Sequence, residues 1–190
     1  MDGKNPVGGI WNFDKENRQA PARDLKTAAP LHFPPDKITN DVIEMVNTHF
    51  ADHPGNTDGW LYAVNRKDAL AAALDFFDKR LDGFGPHQDA MITGNPFLNH
   101  SLLSPYINTC LLHPLELAFE AEKRYLSGQA RLASVEGFIR QLIGWREFVW
   151  QVYWRMMPEY KSRNHFDCHN PLPEFFWTGK TKMHCLSEAI

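Results

Sequence analysis

An all-α fold follows from three features of the sequence. Apolar residues return at spacings of three and four, side chains suited to helix caps stand ahead of those runs, and no stretch sustains the alternation of a strand. Residues 1–36 stand apart. Gly8-Gly9, the mixed-charge run Asp14-Lys15-Glu16-Asn17-Arg18, and Pro21, Pro30, Pro34 and Pro35 all break regular structure there. Ile10, Trp11 and Phe13 form the bulky apolar cluster of that stretch. It reads as an extended linker or strap that docks this cluster on another domain. Residues 37–190 read as the helical domain.

Within that domain, Thr39 or Asn40 caps a first helix carrying Val42, Ile43, Met45 and Val46, which ends before Pro54-Gly55. Asn65 with Asp68 three residues on resembles a capping box, and Leu70, Leu74, Phe77 and Leu81 share the face that follows. Gly83 and Gly85 are expected to stop that helix. Pro114 suits a first helical position, and Leu115, Ala118, Phe119 and Tyr125 lead to a stop at Ser127-Gly128. Ser134 is the expected cap of the most apolar helix, with Glu136 near its positive end. Phe138, Leu142, Trp145, Val149 and Val152 make one stripe of it, and Ile139, Ile143 and Tyr153 widen that stripe. Such width implies burial on more than one side. Pro158 closes the helix. Thr181 to Ile190 opens a further helix in which the chain ends, so a piece of a longer protein is expected.

Composition narrows the class. With 43% hydrophobic residues the chain has enough apolar material to offset its conformational entropy, which excludes a disordered tail. Its apolar runs fall far short of the ~20 residues a membrane-spanning helix needs. The net charge of −3 gives none of the basic excess that nucleic-acid binders usually carry. The first residues lack the pattern of a secretory signal, and three cysteines do not make a disulfide framework. Reduced thiols, a cytoplasmic location and no membrane partner are expected. The aromatic load of 13 Phe, 6 Trp and 5 Tyr suits either a helical core or a flat ligand.

Three constellations carry possible chemistry. In Asn99-His100-Ser101-Leu102-Leu103-Ser104-Pro105-Tyr106, two hydroxyls ahead of a helix start offer donors to an anion such as a diphosphate. The same residues also read as an N-cap, Ser104, followed by Pro at the first helical position. In Gln141-Leu142-Ile143-Gly144-Trp145-Arg146-Glu147-Phe148, an arginine among aromatic residues needs either a carboxylate partner or a ligand, because an unpaired buried charge is costly. Gly144 within that helix suggests something flat or bulky pressing close. His165, Cys168, His184 and Cys185 suggest metal, but their spacing fits no standard zinc site. Cys185 alone suits one ligand of a cluster completed from elsewhere, and Cys110 and Cys168 lack the spacing to complete an iron–sulfur set. No Gly-rich phosphate loop, HExxH or GxSxG is present.

Several strings occur together in an order shared with a known family: Gly9-Ile10-Trp11-Asn12-Phe13-Asp14-Lys15-Glu16-Asn17-Arg18, Phe84-Gly85-Pro86-His87-Gln88-Asp89-Ala90-Met91, His100 to Tyr106, Val135 through Glu147, Met157-Pro158-Glu159-Tyr160 and Phe176-Trp177-Thr178-Gly179. By these the chain resembles the prokaryotic iron–sulfur branch of the cryptochrome/photolyase family, the photolyase-related, (6-4) photolyase-like proteins, over nearly its whole length.

The resemblance implies the N-terminal part of a helical FAD-binding domain, incomplete here and preceded by the linker. In that family an α/β antenna domain with its chromophore comes before the FAD domain, and reduced FAD passes an electron under light to a lesion in UV-damaged DNA. It further implies that Ser101, Leu102, Leu103 and Ser104 form the turn that holds the FAD diphosphate, with His100 where other branches often have Thr. Gln141, Trp145 and Arg146 match the helix lining the flavin and lesion cavity. His87 takes a flavin-pocket position where the family usually has Tyr. Trp177 resembles a tryptophan of the electron-transfer chain, and Cys185 the first of four thiolate ligands to a [4Fe–4S] cluster, the one ligand within this chain. The parent would then be a lyase acting on DNA, and the isolated chain, with about half of each site, is expected to be inactive. A blue-light sensory cryptochrome shares all these residues, and a non-enzymatic helical interaction module would fit a reading frame that ends at Ile190.

Overall fold

The computed structural model describes residues 3–190; Met1 and Asp2, the first residues of the expected strap, lie outside the described residues. Helices follow in the order α1 (Lys37–His49), α2 (Arg66–Lys79), α3 (Leu81–His87), α4 (Ser104–Asn108), α5 (Pro114–Leu126), α6 (Leu132–Ile139), α7 (Arg146–Met156), α8 (Phe175–Thr178) and α9 (His184–Ser187). A π-helical segment, Arg140–Trp145, joins α6 to α7 without a break. Among the described residues there is no β-strand; Ile92 and Asn95 form an isolated bridge. The chain is all-α. It divides into two compact units, one holding the chain up to Phe33 with Leu61–Val149, the other Pro34–Trp60 with Trp150–Ile190.

The first unit carries the core. Phe76, Phe77, Phe84 and Phe138 meet as an aromatic knot, with Phe138 5.0 Å from Phe76 in a tilted pair and 5.7 Å from Phe84 edge to face. Leu81, Leu103, Leu112, Leu117 and Ala121 extend this core and are almost fully buried. α3 packs most extensively on α6, which also leans on α5. Asn65 caps α2 through its Oδ1, which accepts from Asp68 N at 3.0 Å. His113 caps α5, with Pro114 at the first helical position and the chain leaving the helix at Ser127-Gly128.

Several boundaries depart from the sequence reading. Gly83 and Gly85 do not stop α2; the backbone breaks at Arg80, and both glycines lie inside α3. Gly85 is needed for close approach: a Cβ there would lie 2.3 Å from Asn17 Oδ1 and 2.8 Å from Ser134 Cα. Ser134 does not cap α6. Arg131 takes the cap position, its N–H donating to Asp82 Oδ1 at 2.9 Å, so the helix starts earlier. Ser134 is fully buried one turn in, where its hydroxyl donates to Asp82 O at 2.7 Å.

Polar contacts hold the strap to this unit. Ile10 and Trp11 are exposed. Asn17 is buried and donates to Ala133 O at 3.0 Å, while the backbone N–H groups of Arg18 and Gln19 donate to Gly85 O and Pro86 O. Phe13 N donates to Glu136 Oε2 at 2.8 Å, which gives Glu136 a role other than the helix-end charge expected of it.

In the second unit Asp36, not Thr39 or Asn40, caps α1. Its Oδ1 accepts from both the N–H and the hydroxyl of Thr39, at 2.8 and 2.7 Å, and these bonds hold the carboxyl below its ordinary range. The remainder is an aromatic-rich stretch with Trp150 5.9 Å from Trp154 and Phe175 stacked on Phe176. No apolar side chain of this unit is fully buried among the described residues.

Candidate functional site

Two neighbouring cavities open in the first unit. The larger, about 460 Å³, has a floor of core residues, Phe84, Leu103, Ile107, Phe138 and Leu142. One wall is the segment His100–Ser104, the other Gln141 and Arg146. The smaller, about 400 Å³, is lined by Arg18, Gly137, Arg140, Gly144, Trp145 and Phe148, and shares Gln88 and Gln141 with the first.

The serine wall is a tight turn. Leu102 adopts a left-handed backbone with φ of 57°, a conformation that costs a branched residue about 1–3 kcal/mol unless its surroundings enforce it. Burial of Leu103 in the core and the bond from Leu103 N to Ser101 Oγ (3.4 Å) do so. Ser104 begins α4 without capping it, so the N-cap alternative does not hold at this position. α4 has only five residues and its dipole is small. Positive charge at this cavity therefore rests on side chains, and the Arg146 guanidinium lines the wall opposite the serine turn.

Arg146 is exposed rather than buried as the sequence led us to expect, and no ion pair of it is found among the described residues. Phe138 and Leu142 are buried, but the stripe beyond them opens: Trp145, Phe148 and Val149 are each about 60% exposed. The π-helical turn shifts the helical phase between α6 and α7, and α7 buries no residue on any of its faces. A Cβ built on Gly144 meets no described atom within 4 Å outside its own helix backbone and chain neighbours, so no described side chain presses on it. Gln88 Oε1 is buried yet unpartnered at the partition between the cavities. Hydroxyls, a free guanidinium, an apolar floor and an orphaned acceptor fit a flavin dinucleotide.

The structure thus brings His100, Ser101, Leu102, Leu103, Ser104, Gln141 and Arg146 to one cavity, and places Trp145 in the adjoining one. His87 lines neither. Its Nδ1 is 3.0 Å from Asn99 Nδ2, so it ties the end of α3 to the root of the serine turn. Trp177 and Cys185 belong to the second unit, Trp177 60% exposed and Cys185 an exposed free thiol. Among the described residues no three His, Cys, Asp or Glu side chains are grouped to hold a metal, so the residues present do not by themselves fit an iron–sulfur cluster. Phe84, Gln88, Asp89, Ile107 and Asn108 also line the larger cavity and were not singled out from sequence. Phe84, Gln88 and Asp89 lay within the family string Phe84–Met91; Ile107 and Asn108 carried no signal in the sequence.

The first unit is thus all-helical, with the serine turn and Arg146 lining one cavity over an apolar floor. The family profile for deoxyribodipyrimidine photo-lyase-related protein matches residues 1–62. A (6-4) photolyase of Agrobacterium fabrum (strain C58) is 48% identical over all 190 residues, which cover 38% of that protein. An uncharacterized protein, R853, of Acanthamoeba polyphaga mimivirus is 33% identical over 105 residues, 55% of this chain and 80% of that one. The chain belongs to the photolyase-related family. No helix among the described residues is long and apolar enough to cross a membrane.

Proposed function

We propose that this chain forms part of the flavin site of a light-dependent DNA photolyase that repairs UV photoproducts. The observation that carries the reading is the shared cavity of the serine turn and Arg146. The Ser101 and Ser104 hydroxyls donate to the diphosphate of FAD, and Arg146 balances its charge. His100, Leu102 and Leu103 shape the turn, and Gln141 with Trp145 borders the ring. When bound, the flavin supplies the light-driven electron for repair of damaged DNA. His87 acts through Asn99 by holding the turn in place. Trp177 relays electrons, and Cys185 is one thiolate of a [4Fe–4S] cluster whose other ligands this chain does not supply. The longer protein carries an antenna chromophore and works in the cytoplasm.

The test is a titration of the 190-residue chain with FAD and with riboflavin, followed by flavin fluorescence. FAD is expected to bind weakly and saturably, more tightly than riboflavin, and Ser104→Ala or Arg146→Ala should abolish that preference. Equal binding of the two flavins, or none, overturns the diphosphate assignment. In the longer protein the same substitutions should lower light-dependent repair of (6-4) lesions.

A further inference from the structure

Behind the serine turn lies a void of about 10 Å³, room for about one water, lined by Arg80, Ser101, Leu102 and Tyr106 among others. Arg80 is 2% exposed. Its Nη2 is 3.3 Å from Asp75 Oδ2, but the geometry is too poor for a hydrogen bond, and both Asp75 Oδ2 and Arg80 Nε lack any other partner. Asp75 is also shared: Lys79 Nζ reaches its other oxygen at 2.5 Å. Two cations on one carboxylate leave an excess positive charge. Lys79 is half exposed and screened by water, whereas Arg80 is not. A buried charge with incomplete compensation is costly, and an anion nearby offsets that cost in a medium where screening is weak.

We propose that Arg80 is a positioning residue for the anion site: a buried cation on the far face of the turn that strengthens the hold of the near face on a diphosphate. Its guanidinium touches no ligand. It acts by the field it adds there, its guanidinium fixed in part by Nη1 donating to Ala28 O at 3.4 Å. Tyr106, which lines the same void, keeps its hydroxyl on Ala63 N at 3.1 Å and leaves Arg80 as the charged group of that void.

This inference rests on the diphosphate being the group held at the turn. Calorimetric titration of the 190-residue chain with FAD, ADP and riboflavin tests it, using Arg80→Gln and Arg80→Lys. Arg80→Gln should weaken FAD and ADP about tenfold and leave riboflavin within about twofold, while Arg80→Lys keeps the charge and most of the affinity. Equal weakening of all three ligands, which a merely structural role would give, overturns the proposal, as does no change in any. A wild-type chain that binds riboflavin but neither FAD nor ADP overturns the diphosphate reading itself and this one with it. Should Arg80→Gln fail to fold by circular dichroism, Arg80→Lys decides: parallel loss of riboflavin and FAD refutes the proposal, retained preference for FAD supports it.

Discussion

Gly85→Ala is the sharpest test of how the strap is seated. The new methyl would lie 2.3 Å from Asn17 Oδ1 and 2.8 Å from both Ser134 Cα and Ser134 Oγ. Asn17 can retreat only by giving up its bond to Ala133 O, and Ser134 Cα is backbone in α6. Overpacking of this kind costs about 1–3 kcal/mol, and loss of a buried hydrogen bond adds about 1 kcal/mol. Alanine regains up to about 1 kcal/mol of helix propensity. The net is a destabilisation of about 1–3 kcal/mol, or a Tm lower by about 2–12 °C at this chain length. Gly144→Ala is the matched control, since its Cβ meets nothing within 4 Å and should leave Tm unchanged or raise it slightly. Thermal and urea melts followed by far-UV circular dichroism read both. In an Asn17→Ala background the Gly85→Ala penalty should shrink by the part due to Asn17 and keep the part due to Ser134. A Gly85→Ala chain that melts with or above wild type would refute the seating described here.

Phe138→Ala removes a ring packed on Phe76, Phe77 and Phe84 and should destabilise the chain by about 3–5 kcal/mol in urea melts. Acid stability should depend on Asp82: burial raises its carboxyl, but the hydrogen bonds from the Arg131 side chain and backbone outweigh that and hold it below the ordinary 3.8. A carboxyl lowered on folding adds stability that is full above the unfolded value and is lost as pH falls through the folded one. Arg131→Ala should therefore lose less stability than wild type between neutral pH and the region below 3.8, a modest difference because the Asp82 side chain is half exposed. All three cysteines are exposed, so an aromatic disulfide reagent should titrate Cys110, Cys168 and Cys185 without denaturant; a thiol that reacts only after unfolding would contradict their exposure.

The helices were legible where the signal lies within the helix that uses it. Asn65 with Asp68, Pro114 and Ser127-Gly128 are local devices, and each marks a boundary in the structure. Ser134 misled because the groups that fix the start of α6 come from Asp82, about fifty residues away. Gly83 and Gly85 read as stops, yet they lie inside a helix, where Asn99 and Ser134 leave no room for a Cβ. At the site, the serine turn and the Gln141–Arg146 helix could be picked out as strings. The exposure of Arg146, the separate placement of Trp145 and the tether from His87 to Asn99 could not, because they depend on how the helices pack and on which side chains meet across the turn. The division into two units was equally hidden, since each is assembled from separated stretches of chain.

The π-helical segment fixes the number of residues between the core and Arg146. An α-helix advances about 100° per residue, so deleting one position between Arg140 and Trp145 would let the run from Leu132 to Met156 regularise and swing the guanidinium about a quarter-turn around the axis. Point substitutions in that stretch are read by what the new side chain touches, whereas a single-codon deletion there acts as a change of phase. Chains of this family aligned across such a gap would share letters at Arg146 without sharing the direction in which it faces.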